Sequence, residues 1–117
     1  MQPTSVKSLD DVVKSCNLIL KHTADRTLDD YRADPWLQAG VERHFEIIGE
    51  ALRRIERTEP ELASRITDYR DIIDFRNLLA HGYDLVNHAR VWQVIQESLP
   101  VLKVEVEQLL SEADSQS

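Results

Sequence analysis

Arg76, Asn77, His81 and Tyr83 stand within one eight-residue stretch, Arg76-Asn77-Leu78-Leu79-Ala80-His81-Gly82-Tyr83. Arginine is always charged, and its planar fork suits a pair of phosphate oxygens or a charged transition state. Histidine can take a proton from a ribose 2′-hydroxyl when neutral and give one to a leaving 5′ oxygen when charged. Tyrosine can hydrogen-bond a phosphate or stack on a base, and the Asn77 amide offers donors beside both. Together these groups could hold and cleave a phosphodiester without a divalent metal or other cofactor. No other part of the chain carries a comparable set.

Helical geometry limits how the set can work. At about 100° per residue, His81 lies roughly 140° around a regular helix from Arg76, so the two do not share a face. Either the helix ends at His81 and the geometry relaxes, or the residues meet partners from a second subunit. Gly82 supplies a helix stop, which suits the first option and is compatible with the second. His81 in the last turn would feel the negative end of the helix dipole, which favours a protonated imidazole. A bland reading remains open beside the catalytic one: Arg76 pairs with Asp74 or Asp71, His81 caps the helix, and Tyr83 packs in the core.

The elements that must position this set are helices. The 117 residues make one domain, 1–117, long enough for a core without disulfides or a metal. Three glycines and four prolines argue against a turn-rich β fold. A first segment, about Ser8 to His22, carries Leu9, Val12, Val13, Cys16, Ile19 and Leu20 at helical spacing. A second begins at Asp34-Pro35, an N-cap followed by proline, with a stripe of Leu37, Val41, Phe45, Ile48, Leu52 and Ile55. After a break at Thr58-Glu59-Pro60, a third runs from about Ile66 to Ala80. A fourth starts at the N-cap Asn87 and carries Val91, Ile95, Leu99, Leu102, Val106 and Leu109, with Pro100 expected to kink it. The pattern predicts an all-α fold, an antiparallel up-and-down bundle of four to five helices, with a polar tail fraying at about 112–117.

Charge and composition narrow the function classes. The formal charge of −7 is unusual for a nucleic-acid binder, although arginines are concentrated in the middle of the chain. The single cysteine, Cys16, excludes an internal disulfide and is expected to be a buried structural thiol. No apolar run approaches the roughly 18 residues of a membrane span, and no signal peptide is visible, so a cytoplasmic protein is expected. His22, His44 and His88 lack metal-site spacing and read as surface or capping residues. Trp36 and Trp92 read as core or interface anchors, with Trp92 a candidate to face a partner subunit. Glu46 and Glu50 could orient Arg76 or His81, but a solvated face is the simpler expectation.

The spacing of Arg76, His81 and Tyr83 resembles the signature of the HEPN ribonuclease superfamily: Arg, four residues, His, one residue, Tyr. Val41 to Ala51 resembles the second helix of HepT-like toxins, and Val91–Ile95 with Leu99–Lys103 resembles their last helix, proline included. The resemblance spans roughly Leu9 to Leu110. The residue between His and Tyr is often polar in the superfamily; here it is Gly82.

That resemblance implies a helical HEPN-like bundle that forms a homodimer or a higher-order complex, bringing two copies of the motif into one groove. It implies a metal-independent ribonuclease toxin of a type VII-like toxin-antitoxin system, leaving a cyclic phosphate. Arg76 would stabilise the phosphate, His81 would be the acid/base and Tyr83 would support binding, with Asn77 beside them. It also implies an MntA-like minimal nucleotidyltransferase antitoxin that adenylylates the motif tyrosine, here Tyr83. The other reading is a catalytically silent helical interaction module that binds such a nucleotidyltransferase.

Overall fold

A computed structural model describes residues 1–81 and 87–115, with only the backbone at 80 and 81. Among these residues there are seven helices and no strand: α1 (Pro3–Thr23), α2 (Leu28–Arg32), α3 (Pro35–Thr58), α4 (Pro60–Ala63), α5 (Tyr69–His81), α6 (His88–Glu97) and α7 (Leu99–Ser115). The all-α bundle expected from the periodicity is what forms. Its long members are α1 and α3, packed on each other, with α5 against α3 and α7 against α1.

Each long helix buries the stripe that its spacing announces. Leu9, Val12, Cys16 and Ile19 of α1 meet Val41, Phe45, Ile48, Leu52 and Ile55 of α3, all 0–2% exposed. Burial of each such side chain contributes about 1.5–3 kcal/mol. Val91 and Ile95 of α6, and Leu99, Leu102, Val106 and Leu109 of α7, complete the core.

Two helix starts form as the caps predict. The Asp34 carboxylate accepts from Leu37 N at 3.0 Å, and Asn87 Oδ1 accepts from Arg90 N at 3.2 Å. Three boundaries differ. α1 begins at Pro3 rather than Ser8, because the Glu59 carboxylate accepts from Gln2 N (2.6 Å) and Ser5 Oγ (2.7 Å), fastening the start of α1 to the end of α3. α5 begins at Tyr69 because Asp68 takes φ 56°, a left-handed conformation that aspartate tolerates and that interrupts a helix. The expected kink at Pro100 is a full break: α6 ends at Glu97 and α7 restarts at Leu99, so proline occupies a first-turn position where its missing N–H costs nothing.

α2 has no counterpart among the four expected segments. Its signal is a capping box, in which Asp30 N donates to Thr27 Oγ1 and Thr27 N to Asp30 Oδ2. At the far end, α7 runs to Ser115, and Arg65 meets Glu112 at 2.7 Å.

Candidate active site

Arg76 is set in place by α3. Phe45 and Phe75 pack edge to face with centroids 5.0 Å apart, bringing α5 down onto α3 one residue before Arg76. Close approach is possible because α3 carries Gly49 there. A Cβ on Gly49 would overlap the Cβ and Cγ of Arg76 and stand 3.2 Å from its Cδ. The arginine stem therefore lies directly on the α3 backbone.

From that seat the guanidinium reaches two partners. Nη2 donates to Glu50 Oε2 at 2.7 Å, and Nη1 donates to Asn77 Oδ1 at 3.0 Å. Nε is buried and has no partner among the described residues. The Arg76 side chain is 25% exposed and borders a hollow of about 340 Å³ shared with Arg43, Glu46, Ile47 and Arg54. A guanidinium has five N–H donors, and the two bonds seen here leave others for the oxygens of an anion.

The expected pairing of Arg76 with Asp74 or Asp71 does not form. Asp74 is two residues away and Asp71 five, positions that do not face Arg76 on a helix, whereas Glu50 faces it across the α3/α5 contact. The expectation of a purely solvated Glu50 fails for the same reason. Glu46 pairs instead with Arg43 at 3.5 Å. His81 is the last described residue of α5, but its side chain and the whole of Gly82 and Tyr83 lie outside the described residues.

The profile of the family described as "Ribonuclease HepT-like" matches residues 12–109. The chain belongs to the HepT-like ribonuclease family. Among its relatives, a "Probable ribonuclease HepT" of Thermococcus cleftensis is 31% identical over 105 residues, 86% of this chain and 91% of that protein. A Methanocaldococcus jannaschii protein with a provisional RNase name is 30% identical over 108 residues, 92% of this chain and 98% of its own length. A second protein of that organism, named as a gamma-glutamylcyclotransferase and provisional RNase, is 31% identical over 106 residues. The chain spans 91% of itself there but only 47% of that relative. No solved structure matches the chain significantly.

Elsewhere in this HepT-like chain, the other singled-out residues mostly take structural places. Cys16 is fully buried, and burial pushes its thiol up to about 12. His22 is exposed in the last turn of α1. His44 is half-buried with Nδ1 3.0 Å from Ser15 Oγ, so it joins α3 to α1 rather than lying free on the surface. His88 packs its ring edge-on to Tyr31 at 5.6 Å. Trp92 rests on Tyr31 at 5.5 Å and is half-buried against the core. Trp36 is not a core residue: it is 89% exposed. No described helix is long and apolar enough to cross a membrane.

Gly49 is the site residue that the sequence reading passed over. A glycine inside an apolar helical stripe is the signal for close backbone approach, and here that approach seats Arg76.

Proposed function

We propose that this single-domain chain is a metal-independent ribonuclease toxin of a type VII-like toxin-antitoxin system. Arg76 holds and neutralises the scissile phosphate, and His81 moves the protons. The 2′ oxygen attacks phosphorus while His81 takes its proton. The bond from phosphorus to the 5′ oxygen breaks, the departing oxygen receives a proton, and a 2′,3′-cyclic phosphate remains. Tyr83 and Asn77 hold the substrate. Two copies of the chain complete the site, since a regular helix sets positions 76 and 81 about 140° apart.

The observation that carries this reading is the state of the Arg76 guanidinium. It is partly buried, held at Nη1 by Asn77 and at Nη2 by Glu50, and borders an open hollow. Glu50 and Asn77 each take one N–H of the Nη groups, which fixes the head and leaves further Nη donors for an anion in the hollow. Family membership supports RNA as the substrate class.

Control by a minimal nucleotidyltransferase antitoxin fits the same scheme. Transfer of AMP from ATP would join the Tyr83 oxygen to the α-phosphorus, with pyrophosphate leaving. The added bulk and negative charge would then stand where RNA phosphate must sit.

The test compares induced expression of the wild type, Arg76→Ala and His81→Ala, alongside RNA cleavage by each purified protein. Growth arrest and cyclic-phosphate products from the wild type alone support the reading. A harmless wild type with no cleavage, or two toxic variants, overturns it. Co-expression with the nucleotidyltransferase should add AMP mass to Tyr83, and an unmodified Tyr83 in a neutralised complex would exclude that mode of control.

A further inference from the structure

The hollow at Arg76 does not stop there. A second hollow of about 570 Å³ lies along the junction of α1 and α3, and the two share Asp11 and Arg54 as walls. They adjoin at the Asp11–Arg54 pair, 3.4 Å apart, and together make a trench along α1 and α3 from Arg76 to the start of α1. Its α3 wall is built by helical spacing: Arg43, Glu50, Arg54 and Arg57 recur at steps of seven, four and three residues, on one face. From Arg43 to Arg57 that face runs for about 21 Å.

The charge of the trench is opposite to that of the molecule. Five cations line it, Arg76, Arg43 and Arg54 in the first hollow and Arg54, Arg57 and Lys7 in the second. They face three carboxylates, each already held by a cation: Glu50 on Arg76 (2.7 Å), Glu46 on Arg43 (3.5 Å) and Asp11 on Lys7 (2.6 Å). The trench is therefore net positive in a chain of formal charge −7. The Arg57 side chain is exposed and makes no hydrogen bond or ion pair among the described residues. Arg54 is 47% exposed although it touches Asp11 at 3.4 Å. On an acidic protein, a confined positive track concentrates a polyanion where it is needed and repels it elsewhere.

We infer that the α1/α3 trench is the RNA-backbone track of this enzyme, holding phosphates flanking the scissile one on Arg54, Arg57 and Lys7. This rests on the ribonuclease reading above and extends it from the cleavage point to the strand. The contacts are phosphate contacts, which set register and affinity but read no bases. A ligand confined to Arg76 would not reach Arg57.

The test uses the full-length protein and the double variant Lys7→Glu/Arg57→Glu, neither residue being part of the cleavage scheme. Lys7→Gln/Arg57→Gln serves as a milder second variant should charge reversal impair folding. Binding is read by anisotropy with an uncleavable 2′-O-methyl RNA of about twelve nucleotides, within the range that single-strand grooves hold. The variants should bind it about tenfold or more weakly. The dependence of log K on log salt should flatten by about 1.4, since each single-strand phosphate contact contributes about 0.7. Cleavage of a dinucleotide, which spans only Arg76, should keep its kcat/KM. Unchanged affinity for the long RNA overturns the trench, as does equal weakening of long RNA and dinucleotide. Loss of binding to an acidic protein with RNA binding intact overturns it too. If the wild type binds long RNA through these residues but cleaves nothing, the trench stands and the ribonuclease reading falls.

Discussion

Glu50 of α3 and Arg76 of α5 are joined at 2.7 Å, Nη2 donating to Oε2, with their side chains 46% and 25% exposed. Glu50 follows Gly49, the residue whose missing side chain lets α5 come down onto α3. Two consecutive positions of one helix thus do complementary things: the first admits the arginine stem and the second catches its head. A pair this exposed is screened, and its contribution to folding stability is small, of the order of 1 kcal/mol or less. Its effect is on position, because the bond fixes the guanidinium at the edge of the hollow that Arg76 lines.

Removing that catch should cost activity more than stability. Glu50→Ala is expected to leave the melting temperature nearly unchanged and to lower kcat for RNA cleavage by about ten- to a hundredfold, the penalty for about 1 Å of misplacement. Glu50→Gln keeps an acceptor oxygen in the same place and should retain most of the activity. Equal rates for the Ala variant and the wild type would show that Arg76 needs no orienting partner.

Gly49→Ala, by contrast, should damage both stability and activity. The new methyl group would overlap the Cβ and Cγ of Arg76, which cannot swing aside without moving α5. Overpacking of this kind costs about 1–3 kcal/mol, and cleavage should fall with it as Arg76 is displaced. Gly40 is the control, since a Cβ there meets nothing within 4 Å. Gly40→Ala should be neutral, or stabilising by up to about 1 kcal/mol, because alanine is the better helix former. Thermal melts of the two variants side by side check the contrast, and a stable, fully active Gly49→Ala would contradict it.

The same residues mark what the sequence could convey. Caps and stripes are local, so Asp34, Asn87 and the apolar positions of α3 form as the spacing predicts. The start of α1 depends on Glu59, 57 residues from Gln2, and no local pattern announces such a bond. Arg76 is recognisable by type and motif, yet its partner is set by a helix crossing 26 residues away in sequence. Asp71 and Asp74 look closer along the chain, but helical geometry turns them elsewhere. Pro100 was ambiguous for another reason: proline both kinks a helix and begins one, and only packing decides between them. The α1/α3 trench needs two helices side by side, so its arginines read as a solvated face until that packing is known.

Cys16 should be inert in the folded protein. With its thiol pushed up to about 12 by burial, only about one molecule in ten thousand carries a thiolate at about pH 8, and the sulfur is fully covered. An aromatic disulfide reagent should therefore label it only as fast as the protein unfolds, and at once in denaturant. Rapid labelling of the native protein would mean that α1 opens locally around it.

His44 should make the fold sensitive to mild acid. Burial, followed by the nearby charge of Arg43 and then of His22, holds its pKa below the ordinary 6.5. The unfolded chain therefore binds a proton more readily than the folded one, and stability rises with pH across the interval between the two values. The contribution is complete above about 6.5 and is lost as pH falls through the folded value. Protonation puts a charge on a half-buried imidazole that joins α3 to α1 through Ser15 Oγ, 3.0 Å from its Nδ1. Melting temperatures measured from about pH 7.5 down to about pH 5.5 should decline in the wild type. His44→Gln should flatten that decline while staying folded at neutral pH. Parallel curves for the two proteins would assign the acid sensitivity to other groups.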